Sequence, residues 1–337
     1  MGGLAALCPK LAEASPTTRW TQAREGKSRA AEKAALDAAE HQLGEGLRLR
    51  ALASGFDPLG GAGMVAHQQE ARRILDAVGG GRSASPEVRL RYAEILSNLG
   101  LWAEVVPILE RTVNEVPASS RVDAWVELAV AYARVGRGQD EIRCYERALA
   151  YEPHGASRAT ILANEAEAYM AAGDVARAVA GYRAALEPLA TVEEVARRAP
   201  TTLWGLGVAL DRSGELAAGL DAIQRARAYD PADRNLSGAG WFFNPEHDAA
   251  WYAGLGHLLV ARRGPELDVR REAYGRAIAS FREYVDLAPA ADLWVATARA
   301  RILALTAEQA RFERRFAAEK RKDPRLPIVT SPRRPVR

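Results

Sequence analysis

The residues best suited to acid–base or metal chemistry sit together at Glu246-His247-Asp248. Two carboxylates flanking an imidazole can move a proton near neutral pH or hold a cation. The same three residues also suit a polar loop that caps a helix beginning near Asp248. The other four histidines, His41, His67, His154 and His257, form no i, i+4 pair that would set two ligands on one helix face. Gly26-Lys27-Ser28 has the ending of a phosphate-binding loop, but the glycine required five residues earlier is Thr21. No nucleophile elbow and no dinucleotide-binding glycine fingerprint is present. Two cysteines, Cys8 and Cys144, supply neither a disulfide framework nor the roughly four ligands of a zinc site. The expectation is a protein without catalysis, cofactor or metal, with Glu246-His247-Asp248 kept as the enzymatic alternative.

Charge is distributed unevenly. Residues 311–337 carry ten Lys or Arg against three acids, while the preceding chain holds 36 basic and 40 acidic residues. The net charge of +3 therefore comes from a basic tail on a slightly acidic body. Residues 323–337 hold four prolines and four arginines, a composition expected to stay disordered. Such a tail offers the alternative of binding nucleic acid or another anionic surface, although it lacks aromatics to stack on bases. No stretch approaches the roughly 18 apolar residues of a membrane span. The N-terminus has no basic leading region, which suggests a cytoplasmic protein. Ala12-Glu13-Ala14 resembles a cleavage site, so export behind a truncated signal is the alternative.

Carboxylates and arginines recur at helical spacing, and the elements that carry them form a repeated unit. Its clearest copy holds Trp125, Leu128-Ala129, Tyr132, Gly136, Tyr145, Ala148 and Pro153. Apolar residues three and four apart give each helix one buried stripe. Gly136 can take a positive φ and reverse the chain, and Pro153 ends the second helix. Further copies contain Tyr92-Ala93, Leu96, Gly100 and Trp102; Ala166, Tyr169, Gly173 and Tyr182; Gly207, Leu210, Gly214 and Ile223; and Gly256, Leu259, Tyr274, Phe281 and Pro289. The turn glycines lie 36, 37 and 41 residues apart, so linkers or longer helices separate the units.

In these residues the chain resembles the tetratricopeptide-repeat family, of bacterial type in its composition. The resemblance implies an all-α, right-handed α-solenoid of about five to six antiparallel hairpins with a C-terminal capping helix. The divisions expected are an N-terminal lead over 1–24, a degenerate hairpin over 25–85 with helices at 27–52 and 63–78, the repeat array over 86–289, a capping helix over 290–322 and the tail. The array is interrupted by an irregular loop over 234–248. Roughly residues 262–271 read as an insertion between the helices of the last copy. Trp294, Ala298 and Ile302 are expected to cover that copy's open edge.

By the same resemblance, the first helices line a concave groove that binds protein segments. The positions implied are Glu87, Arg91 and Glu94, then Asp123, Glu127 and Arg134, then Asn164 and Glu167, then Trp204 and Arg212. Leu90 and Glu94, or Val126 and Val130, stand where chaperone-binding members place a lysine and asparagine clamp, so a carboxylate-terminated partner is not expected. The groove reads as acidic with apolar patches, which suits a protein or peptide carrying basic and apolar residues. Trp204 is the residue chosen as an anchor point, the alternative being that it is the bulky packing residue of its copy shifted by one place. Trp241-Phe242-Phe243 is a second surface of interest, either a plug between hairpins or an exposed anchor.

Overall fold

The computed structural model describes residues 16–52, 58–189, 191–237 and 243–322, and no strand occurs among them. The chain divides into two compact units at Ala131/Tyr132. The first contains α1 (Pro16–Leu52), α2 (Pro58–Asp76), α3 (Pro86–Asn98), α4 (Trp102–Thr112) and most of α5 (Ala118–Arg134). Consecutive helices from α1 to α4 pack on one another, and α1 also reaches α3. Leu75, Val88, Ile95, Leu96, Val105 and Leu109 are wholly buried, at the three- and four-residue spacing that gives each helix its stripe. Ser85 starts α3 by accepting the Val88 N–H at 3.3 Å, with Pro86 in the first helical position. Arg89, 3% exposed, donates to Thr112 Oγ1 at 3.0 Å and to the Ser83 carbonyl at 2.8 Å, which ties α3 to the end of α4.

The second unit holds α6 (Gly138–Leu149), α7 (Gly155–Ala171), α8 (Val175–Leu186), α9 (Val192–Arg212), α10 (Leu216–Tyr229), α11 (Asp248–Arg263), α12 (Leu267–Leu287) and α13 (Val295–Lys322). Each packs on the next, and α7, α9 and α11 also touch in sequence, the pattern of stacked helical hairpins. Where α9 crosses α10, Gly207 faces Gly219. A Cβ on Gly219 would stand 2.6 Å from the Gly207 carbonyl oxygen.

Four hairpin turns share one construction. Gly100, Gly136, Gly173 and Gly214 have φ of 74°, 74°, 83° and 92°. In each, the glycine N–H donates to the carbonyl three residues back: Ser97, Ala133, Met170 and Asp211. The following residue, Leu101, Arg137, Asp174 or Glu215, donates to the carbonyl five residues back. This pair of bonds is the Schellman closure of a helix C-terminus. That same following residue stands at the N-cap of the next helix, so only three residues separate one helix from the next.

Several expectations are corrected in detail. Helix α1 begins at Pro16, inside the expected N-terminal lead, and α2 begins at Pro58 rather than near 63. The last copy has no insertion over roughly 262–271 between its helices. Only Gly264–Glu266 connect them, and the extra residues lengthen α12 to 21 residues. Helix α9 is likewise extended, with Pro200 inside it. The irregular stretch opens with a 3₁₀ turn, Arg234–Ser237. Ala298 is wholly buried and Ile302 half-buried on α13, while Trp294 sits just before it, its carbonyl accepting from the Ala298 N–H at 2.8 Å. The tail over 323–337 lies outside the described residues.

Candidate docking cleft

Three helices of the first unit each turn one i, i+3, i+4, i+7 stripe, or part of one, toward a common cleft of about 660 Å³. Helix α1 contributes Lys33, Leu36, Asp37 and Glu40; α3 contributes Glu87, Leu90, Arg91 and Glu94; α5 contributes Ser120, Asp123 and Glu127. Val116 and Pro117, in the chain leading into α5, join Leu36 and Leu90 as its apolar lining. These spacings put the side chains on one face of each helix. The rest of α3, around Val88, Tyr92, Ile95 and Leu96, faces the core.

The lining has six carboxylates against two bases, and both bases are already engaged. Arg91 bridges Glu40, at 2.9 Å, and Glu94. Lys33 Nζ pairs with Asp37 at 3.0 Å. Glu87 accepts from the Ser85 hydroxyl at 2.8 Å. Burial lifts the pKa of Glu127, a contact with the Ser97 hydroxyl works against the lift, and the neighbouring Glu94 charge adds to it. The cleft therefore presents concentrated negative charge around a small apolar lining.

Six of the residues and positions anticipated from sequence meet here: Glu87, Leu90, Arg91, Glu94, Asp123 and Glu127. The α1 residues were not anticipated. The spacing of Lys33, Leu36, Asp37 and Glu40 was a visible signal, but α1 has no repeat signature to direct attention to it.

The remaining anticipated residues belong to the second unit and do not form such a surface. Trp204 is 2% exposed and is no open anchor. Its ring stacks on Tyr252 at 5.9 Å, and its indole N–H donates to Asp233 at 3.1 Å. Arg212 is buried too, its guanidinium donating twice to Asp248, at 3.1 and 2.6 Å. Arg134 is exposed and lies in the field of Glu246. Glu167 is half-buried near Glu141, with Asn164 beside Tyr145. Burial holds the carboxyls of Glu141 and Glu167 at about 8, and for Glu167 the Glu141 charge adds to the lift. Trp241 and Phe242 lie outside the described residues. Phe243 is half-buried, edge-on to Tyr252 at 5.0 Å.

The Glu246-His247-Asp248 cluster separates rather than converging. Asp248 opens α11 and holds Arg212, whose guanidinium lies 4.8 Å over the Trp251 ring and 5.0 Å over Trp294. His247 Nε2 meets Asp292 at 3.0 Å, and Asp292 also accepts the Tyr284 hydroxyl and the Trp294 N–H, each at 2.8 Å. Trp251 donates to Asp211 at 3.0 Å, and Arg301 of α13 pairs with the same carboxylate. Glu246 is exposed. These bonds join α9, α11, α12 and α13 into a structural latch. Among the described residues, no group of three His, Cys, Asp or Glu could hold a metal ion. No described helix is long and apolar enough to cross a membrane.

No family model matches the chain, and no curated protein does. Among solved structures it is similar to the MamA protein, at 14% identity and a TM-score of 0.43, over 62% of this chain and 97% of that one. It is similar to a thermophilic tetratricopeptide-repeat protein of Thermus thermophilus, at 18% identity and a TM-score of 0.42, over 59% and 95%. It is also similar to yeast Tom70, at 15% identity and a TM-score of 0.44, over 91% of this chain and 60% of that one. These are likenesses of fold type alone.

Proposed function

We propose that the protein is an interaction scaffold, without catalysis, whose α1–α3–α5 cleft holds a partner segment bearing Arg or Lys and one or two apolar side chains. The observation that carries this reading is the convergence of three helical stripes whose carboxylates outnumber the bases, with both bases already paired. A guanidinium entering the cleft would meet carboxylates in the planar two-point geometry that arginine prefers. An apolar side chain beside it would cover Leu36, Leu90, Val116 and Pro117. The dispersal of Glu246, His247 and Asp248 into separate contacts removes the support for an enzymatic site there.

The test replaces Asp37, Glu87 and Asp123, all exposed, by Lys. Peptides combining two arginines with one or two leucines are titrated against both proteins, and partners captured from cell extract are compared. The intact protein should bind such peptides and capture a partner that the variant loses. Equal binding by both proteins would remove the cleft from the function.

A further inference from the structure

We infer that the cleft takes residues 323–337 of a second copy of the chain, so that the protein associates head to tail. This rests on the cleft reading above and names one occupant for it. The segment runs Asp323-Pro-Arg325-Leu326-Pro-Ile328-Val329-Thr-Ser-Pro-Arg333-Arg334-Pro-Val336-Arg337. Its four arginines stand against a single acid, and Leu326, Ile328 and Val329 follow directly on Arg325. The cleft is its complement, with Asp37, Glu40, Glu87, Glu94, Asp123 and Glu127 around Leu36, Leu90, Val116 and Pro117. Lys33 and Arg91 are occupied by Asp37, Glu40 and Glu94, so they do not stand free to repel an incoming arginine. Complementary charge of this kind sets register and partner choice more than it adds raw affinity. Four prolines lower the conformational freedom that the segment loses on docking.

The geometry of such a contact is heterologous: a copy that gives its tail keeps its own cleft open. Association therefore continues beyond two copies unless a ring closes. A partner that fills the cleft would cap this assembly, making self-association and partner binding mutually exclusive.

The test uses three full-length proteins in sedimentation velocity over a range of concentrations. One is the native chain. One carries Asp37→Lys, Glu87→Lys and Asp123→Lys in the cleft. One carries Arg325→Gln, Arg333→Gln, Arg334→Gln and Arg337→Gln in the tail, neutral so that it is not drawn to the lysines of the altered cleft. The native chain should gain mass with concentration, and each variant alone should stay monomeric. An equimolar mixture of the two variants, one supplying a tail and the other a cleft, should form a pair of twice the chain mass and stop there. A mixture that stays monomeric, or variants that associate like the native chain, would overturn the inference. If that happens while peptide and partner binding still depend on the cleft carboxylates, the head-to-tail contact falls and the scaffold reading stands. If the cleft variant changes neither, both fall.

Discussion

At the scale of single residues, the cleft's response to acid is set by its least comfortable carboxylate. Glu127 is half-buried and near Glu94, and its pKa is raised, so it takes up a proton at a higher pH than an ordinary carboxylate does. A cationic segment loses an attractive charge with each such proton. Affinity for a basic, apolar peptide should fall as pH is lowered from 7 to 5, with the first part of the fall belonging to Glu127. Glu127→Gln should weaken binding at pH 7 and remove that early part, as read by fluorescence anisotropy across pH. An unaltered pH profile in this variant would take Glu127 out of the contact. The residue scale is also where sequence was least sufficient. The bulk of Trp204 was plain, but its direction was not, since one position along a helix turns a side chain by about 100°. The proline-containing, lengthened α9 offered no marker for where its buried side lay, and both Trp204 and Arg212 fell on it.

At the scale of the element, the turns and the latch separate two kinds of constraint. Gly136 has φ of 74° and open space around its missing Cβ. Gly136→Ala should therefore cost only the left-handed backbone penalty, about 1–2 kcal/mol, with no term for crowding. Asn at the same place should cost less, because its side chain tolerates that conformation; chemical denaturation of the two variants checks the order. The latch behaves differently. Asp248→Ala leaves the buried Arg212 charge without its carboxylate and should destabilise the second unit by about 3–5 kcal/mol. Replacing both residues by apolar ones of similar volume should recover most of that loss, which a double-mutant cycle measures. The turn glycines were legible in the sequence because a C′ position has so few acceptable residues. The latch was not. His247 and Asp248 were visible as a cluster, but their partners Asp292 and Arg212 lie 45 and 36 residues away in the chain.

At the scale of the molecule, stability should depend on pH in a direction set by buried acids. Glu141 and Glu167 hold their protons to about 8 in the folded chain, against an ordinary value of 4.5. Between those values the native state binds protons that the unfolded chain has released, so stability falls as pH rises. The two carboxyls are coupled and should titrate as a pair. The urea midpoint of the native protein should accordingly be higher at pH 5 than at pH 8. Glu141→Gln with Glu167→Gln should flatten that difference, and a slope unchanged by the pair would place its origin elsewhere. Hairpin order and helix count were readable because turn and stripe signals repeat. Helix extensions were not, since a helix can lengthen by several residues without any change in the residues that mark its turn.

The three-residue turns fix where this chain can change length. A residue that closes one helix and also opens the next leaves no slack. One inserted residue at Leu101, Arg137, Asp174 or Glu215 would rotate the second helix by about 100° and carry its apolar stripe off the core. The junctions between hairpins have no such shared residue, and the spans of 36, 37 and 41 residues between turn glycines differ through helix length, since the junctions over 113–117, 150–154 and 187–191 are equally long. The turn is thus the fixed point of each hairpin, and changes of length are taken up outside it. Tags, cross-linkers or whole extra hairpins should be accepted at the flanks and rejected at the turns.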